Sequence, residues 1–234
     1  MQMLRNPAPD DPHESAKLPA HQSVYEQLRT RILFGDLVPG QAVTIQGLTQ
    51  DTGAGMTPVR EAIRRLISDG ALTMQGNRRV TVPMLTTACV EQLDFMRQSL
   101  EPQLARLAVE HMEAETLTEL RSHDDALNTA IEQGDIPGYL TQNYRFHTTL
   151  NSSAQAPILS ATVDRLWLRF GPSLRVVCGR SGTMNLPDKH ADLLAALAAG
   201  NADAAAQAMV EDVAQGMRQV RAALDSSAAP ERFD

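Results

Sequence analysis

The 234-residue chain holds only two cysteines, Cys89 and Cys178. They lie far apart and outside any Cys-x-x-Cys spacing, which excludes a disulfide framework and a thiolate zinc site and predicts two buried thiols in a reducing cytoplasm. No apolar run approaches the ~18 residues that a membrane-spanning helix needs. The first residues, Met1 to Pro19, are rich in proline and acid and lack a signal-peptide core, so they read as a disordered leader on a soluble protein. There is no glycine-rich phosphate loop and no Gly-x-Ser-x-Gly elbow, so nucleotide hydrolysis and serine catalysis lack their machinery. Nothing repeats at a fixed period.

What is present is enough apolar residue, 43%, to build real cores, in a length that suits a small domain and a larger one. The net charge of −7 argues globally against a nucleic-acid binder, yet the charge is unevenly placed. Residues 18–84 carry seven Lys/Arg against five Asp/Glu, whereas residues 85–234 carry twelve against twenty. A mildly basic head precedes an acidic body.

The head has a helical start at Val24, Leu28, Ile32 and Leu33 that stops at Gly35, followed by a Pro39-Gly40 turn. A short second helix follows a cap at Thr44 and is broken by Gly53 and Gly55. A third helix is expected with Thr57 as its cap and Pro58 at its first position, where the missing N–H costs nothing. Val59, Ala62, Ile63, Leu66 and Ile67 recur as one buried face, leaving Arg60 and Arg64 one turn apart outside it. Leu72-Thr73-Met74 and Val80-Thr81-Val82 then alternate around Gln75-Gly76-Asn77-Arg78-Arg79, which predicts a hairpin with a basic tip. Alone, the arginine helix reads as a solvated face; with the basic hairpin beside it as a wing, the arrangement suits a DNA major groove.

Beyond Pro83 the pattern is helical. Apolar stripes predict helices over Val90 to Ala108, Leu117 to Ile131, Asn143 to Leu150, Ile158 to Val177, Asp188 to Ala199 and Ala202 to Leu224, giving six or seven amphipathic helices in an antiparallel bundle. The fold class is therefore mainly α, with a leader over 1–19, a winged helix-turn-helix over 20–84, an all-α bundle over 85–226 and a disordered tail over 227–234.

Three stretches are specific in combination: Gly35-Asp36-Leu37-Val38-Pro39-Gly40; Thr57-Pro58-Val59-Arg60-Glu61-Ala62 with Leu66 and Gly70; and Phe146-His147 in the bundle. With them, residues 23–224 resemble the GntR family of bacterial transcription regulators, in the FadR-like branch with an FCD-type C-terminal domain. The resemblance implies a cytoplasmic homodimer on a short palindromic operator, usually a repressor, released when a small organic acid binds the bundle. It assigns Arg60 to a base or adjacent phosphate, Thr57 to a phosphate, Arg64 to the same face, and Arg78 and Arg79 to the minor groove or backbone. Relatives commonly carry Ser-Arg before the threonine, whereas this chain has Gly55-Met56, so the usual operator sequence is not expected.

The resemblance also implies a divalent metal site in the bundle, at Asn143, His147, His190 and Asp212. Asn143 is four residues before His147, so both project from one helix face. Relatives have an acid at the first position and a histidine at the last. The exchange leaves two imidazoles, a carboxylate and an amide oxygen, a set weaker for zinc and more tolerant of octahedral ions, with zinc, nickel and manganese as candidates. Ala208 and Gly216, one turn either side of Asp212, leave room beside it. Arg97 either clamps an anionic effector or makes a plain i, i+4 salt bridge with Glu101. His13, His21, His111 and His123 read as solvated, and Trp167, Phe170 and the methionines at 96, 209 and 217 as packing. Two further readings stand beside the regulator with a metal: a regulator whose metal site is empty and whose effector is held by Arg97, and a metal-dependent hydrolytic enzyme using His147, His190 and Asp212.

Overall fold

The computed structural model describes residues 18–76, 78–181 and 189–228, with side chains described over 18–76, 78–175 and 189–225. The expected leader up to residue 17, the Cys178 thiol, His13 and residues 229–234 of the expected tail lie outside them.

In the head, α1 (Ala20–Leu33), α2 (Ile45–Thr52) and α3 (Met56–Ser68) pack around a small sheet of β1 (Ala42–Val43), β2 (Thr73–Met74) and β3 (Val80–Thr81). Val24, Leu28 and Ile32 on α1 meet Val59, Ala62, Ile63 and Leu66 on α3, all buried. The Thr44 hydroxyl caps α2 by accepting the Gly47 N–H at 3.0 Å. The expected hairpin is present as β2 and β3, paired antiparallel with Thr73 opposite Thr81. The sequence reading did not include β1, which pairs with the other edge of β3 and makes the strand order β1-β3-β2. The wing is thereby fastened to the turn after α1.

The body has six helices among the described residues: α4 (Thr87–Glu110), α5 (Ala114–Gln133), α6 (Ile136–Ser153), α7 (Pro157–Ser181), α8 (Lys189–Ala198) and α9 (Ala202–Ala228). The chain is mainly α, a winged helix-turn-helix followed by a helical bundle. Residues 227 and 228, expected in the tail, continue α9. Cys89 is exposed rather than buried. It sits in the first turn of α4, beside the buried stripe that begins at Val90, and its N–H bonds the capping Thr86 hydroxyl at 3.2 Å. His123 is half-buried, with Nδ1 3.0 Å from the Gln142 amide oxygen, so it is not simply solvated.

The head rests on the body through α1 and α7. A side chain on Gly171 of α7 would place its Cβ 2.6 Å from the Leu33 carbonyl oxygen, a backbone atom that cannot swing aside. Gly171→Ala is therefore expected to destabilise the fold by about 1–3 kcal/mol, the usual range for overpacking, measured as a lower urea midpoint. An unchanged midpoint would show that α1 and α7 separate at no cost.

Candidate functional site

On α3 the helix starts earlier than expected. Gly55, extended at φ −69° and ψ 165°, is the cap residue, and Thr57 is the second helical residue and makes no capping bond. Pro58 falls third and is still tolerated, because the first four N–H groups of a helix have no intrahelical partner; the first such bond runs from the Val59 N–H to the Gly55 carbonyl at 3.3 Å. The shift leaves the Thr57 hydroxyl exposed at the helix start, next to an exposed Met56.

Arg60 and Arg64 are exposed one turn apart, and neither has an ion-pair or hydrogen-bond partner among the described residues. Arg65 differs. Its guanidinium lies 3.7 Å from the Tyr25 ring centre and donates to the Gln22 side-chain oxygen at 2.6 Å, so it fastens α3 to α1. Tyr25 donates its hydroxyl to Asp69 at 2.9 Å, and burial together with that carboxylate pushes its pKa up to about 12. Arg78 and Arg79 are exposed at the wing tip, where Arg78 takes the left-handed φ of +62° that closes the turn.

In the body, α6, α8 and α9 bring His147, His190 and Asp212 together, with one donor atom of each within 4.8 Å of the others. His147 Nε2 is 3.2 Å from one Asp212 oxygen, and His190 Nε2 is 3.8 Å from the other. Ligands of a tetrahedral ion at ~2.1 Å stand about 3.4 Å apart, close to each of these two histidine–carboxylate spacings. Asn143 lies one turn before His147, half-buried. A Cβ on Gly216 would meet nothing within 4 Å, whereas Ala208, one turn before Asp212, is buried.

Two carboxylates unforeseen as parts of this site stand behind the imidazoles. Asp124 on α5 is 3.0 Å from His190 Nδ1. Glu101 on α4, fully buried, is 3.3 Å from His147 Nδ1, an atom without an aligned hydrogen bond. A carboxylate behind each imidazole is the arrangement that fixes the tautomer of metal-bound histidines. Both acids interrupt apolar stripes, Asp124 between Leu120 and Leu127 and Glu101, together with its partner Arg97, between Leu93 and Leu104. An acid on a buried helix face was the signal that could have found them.

Arg97 makes the i, i+4 salt bridge: Nε donates to Glu101 at 2.5 Å and Nη2 at 3.4 Å. Its guanidinium also lies 4.2 Å from the Phe170 ring centre and 4.9 Å from that of Trp167. Burial opposes the Glu101 charge, but Arg97 and then His147 hold its carboxyl below the ordinary value. Burial likewise works against the His147 cation, yet Asp212 and Glu101 outweigh it and raise the pKa to about 9. Asp212 is depressed to about 2, its burial overcome chiefly by His147.

Two family patterns divide the chain in the same way as these two regions. The gntR family of bacterial regulatory proteins matches residues 20–82, and the FCD domain matches residues 93–215, more than half of the chain. The chain belongs to the GntR family. Among its relatives, the HTH-type transcriptional regulator McbR of Escherichia coli K12 is 32% identical over 151 residues, covering 64% of this chain and 68% of McbR. The transcriptional repressor RspR of the same organism is 26% identical over 213 residues, covering 87% of this chain and 91% of RspR. The solved structure of McbR superposes with a TM-score of 0.80 at 28% identity, over 91% of this chain and all of that one.

This GntR-family protein is thus a transcriptional regulator with an FCD domain, and its relatives are regulators rather than enzymes, which leaves the hydrolytic reading without support. The gntR-type head implies DNA binding and the FCD domain a small-molecule effector. No helix among the described residues is long and apolar enough to cross a membrane.

Proposed function

We propose that this chain is a metal-assisted repressor of the FadR-like branch. Residues 20–84 bind a palindromic operator, and residues 85–226 dimerise and hold the effector. Arg60 and Arg64 reach into the major groove, Thr57 meets a phosphate, and Arg78 and Arg79 of the wing take the minor groove or backbone. His147, His190 and Asp212 hold a divalent ion, with the Asn143 amide oxygen as a fourth donor. A bound ion of this kind supplies a positive centre with exchangeable positions for an effector carboxylate.

The observation that carries the reading is the pair of imidazoles converging on Asp212, each backed by its own carboxylate. Arg97 favours the same reading over an ion-free site. Because Glu101 already neutralises its fork of donors, a carboxylate effector needs another cation. Elemental analysis of gently purified protein tests this. About one equivalent of zinc, nickel or manganese per chain is expected in the parent protein and almost none in His147→Ala; equal content in both would refute the site. Organic acids are then expected to raise the thermal midpoint of the loaded protein and not that of the variant.

A further inference from the structure

The covalent linker at Pro83 to Thr87 is one route from body to head, but the structure contains a second, non-covalent one. Arg29, on α1 of the head, donates from Nη2 to Asp164 on α7 at 2.5 Å and to the Tyr144 hydroxyl on α6 at 2.6 Å. Tyr144 in turn donates to the same Asp164 oxygen at 2.6 Å. One phenol therefore closes a three-way contact between the head and two body helices.

The same phenol lies next to the metal-binding candidates. Tyr144 is three residues before His147 on α6, and its ring meets Trp167 edge-on, with centres 5.5 Å apart. Trp167 is buried, 5.0 Å from the His147 ring and 4.9 Å from the Arg97 guanidinium. On the other side the Tyr144 ring meets Phe34, at the end of α1, at 5.9 Å. His147, Trp167, Tyr144 and the Arg29–Phe34 end of α1 thus form an unbroken series of contacts. A cleft of about 330 Å3, bordered by Tyr144, Asp164, Trp167 and Asn151, lies alongside. The cleft borders the phenol on the side of Asp164, and coupling between sites requires that this contact have a made and a broken arrangement.

We propose that Arg29, Tyr144 and Asp164 are the node through which occupancy of the His147–His190–Asp212 site alters DNA binding by the head. The proposal rests on the metal reading given above for that site. His147, Asp212 and His190 would hold the ion, and any movement of His147 on binding it would reach Tyr144, three residues away on α6 and in contact with Trp167, and through Tyr144 the Arg29 contact.

Trp167 is the only tryptophan in the chain and stands in the middle of the series, so its fluorescence reads both ends. Full-length protein is titrated with Zn2+ alone, and separately with a short DNA duplex at low salt, where binding does not depend on sequence. The parent protein and Tyr144→Phe are compared, with Asp164→Asn as a second variant and thermal unfolding as a check of fold. Zn2+ is expected to change Trp167 emission in both parent and Tyr144→Phe, because the indole touches His147 directly. DNA is expected to change it in the parent only. The DNA Kd is expected to differ at least fivefold between Zn2+-loaded and Zn2+-free parent protein, within the usual range of coupling, and less than about twofold in Tyr144→Phe.

A Zn2+ effect on DNA affinity that survives at parent size in both variants would overturn the node. Silence of Trp167 toward Zn2+ would instead count against the metal reading. The node would then stand or fall on the DNA-induced signal: its presence in the parent and loss in both variants would support it, and its absence from the parent would overturn it.

Discussion

Arg60→Ala is expected to abolish sequence-selective DNA binding while leaving the fold and its stability unchanged. Arg60 has no hydrogen-bond or ion-pair partner among the described residues, and the face that packs α3, from Val59 to Leu66, lies on the other side of the helix. A guanidinium that reads guanine through a fork of donors is worth about 1–3 kcal/mol of discrimination, and two heads on a palindrome lose it twice. Met56 deepens the dependence. Its exposed thioether has no fork of donors, so in the reading proposed above the base readout falls to Arg60 with Arg64. Arg65→Ala provides the contrast, since it removes the stacking on Tyr25 and the Gln22 bond. It should lower stability by about 1 kcal/mol and weaken DNA binding only through that loss. Competition between specific and scrambled duplexes, with a thermal melt of each variant, separates the two. Selective binding retained by Arg60→Ala would remove α3 from its assigned role.

Metal affinity is expected to rise roughly fiftyfold between pH 7 and pH 9. The cause is the His147 proton, held to about pH 9 by Asp212 and Glu101 in spite of burial. An ion must displace it, which weakens binding by about tenfold for each pH unit below that pKa. Asp212, depressed to about 2, stays ionised throughout and adds no slope. The ion-free protein should show the opposite trend. The folded pKa of His147 lies above the ordinary 6.5, so its contribution to stability is complete below pH 6.5 and disappears as the pH rises through 9. Isothermal titration at several pH values, set beside thermal melts of ion-free protein, tests both signs. His147→Gln should flatten both curves, and a metal affinity independent of pH in the parent protein would contradict the assignment.

Local chemistry carried much of the fold into the sequence. The buried stripe of α3, the Thr44 cap, the hairpin and the succession of body helices all depend on neighbours within a turn or two. Thr57 misled because hydroxyl chemistry favours it as a cap, while the extended Gly55 two residues earlier started the helix instead. β1 is two residues long and exists only through its pairing with β3, about forty residues away, so no local pattern announces it. His147, His190 and Asp212 were found by resemblance, since nothing local relates residues on three separate helices. The acids behind them left a local trace, a charge on an apolar face, that can be read directly. The Arg29–Tyr144–Asp164 contact left none, for its members are 115 and 135 positions from Arg29 and each is an ordinary polar residue on its own helix.

The central claim is that the head of this GntR-family chain reads a particular DNA sequence. Fluorescence-anisotropy titration of the full-length protein against the duplex upstream of its own gene, with a scrambled competitor and at two salt concentrations, tests it most directly. Tight binding is expected that the scrambled duplex does not compete away and that weakens as salt rises, the weakening coming from the phosphate contacts proposed for the wing arginines. Equal, weak binding of both duplexes would contradict it.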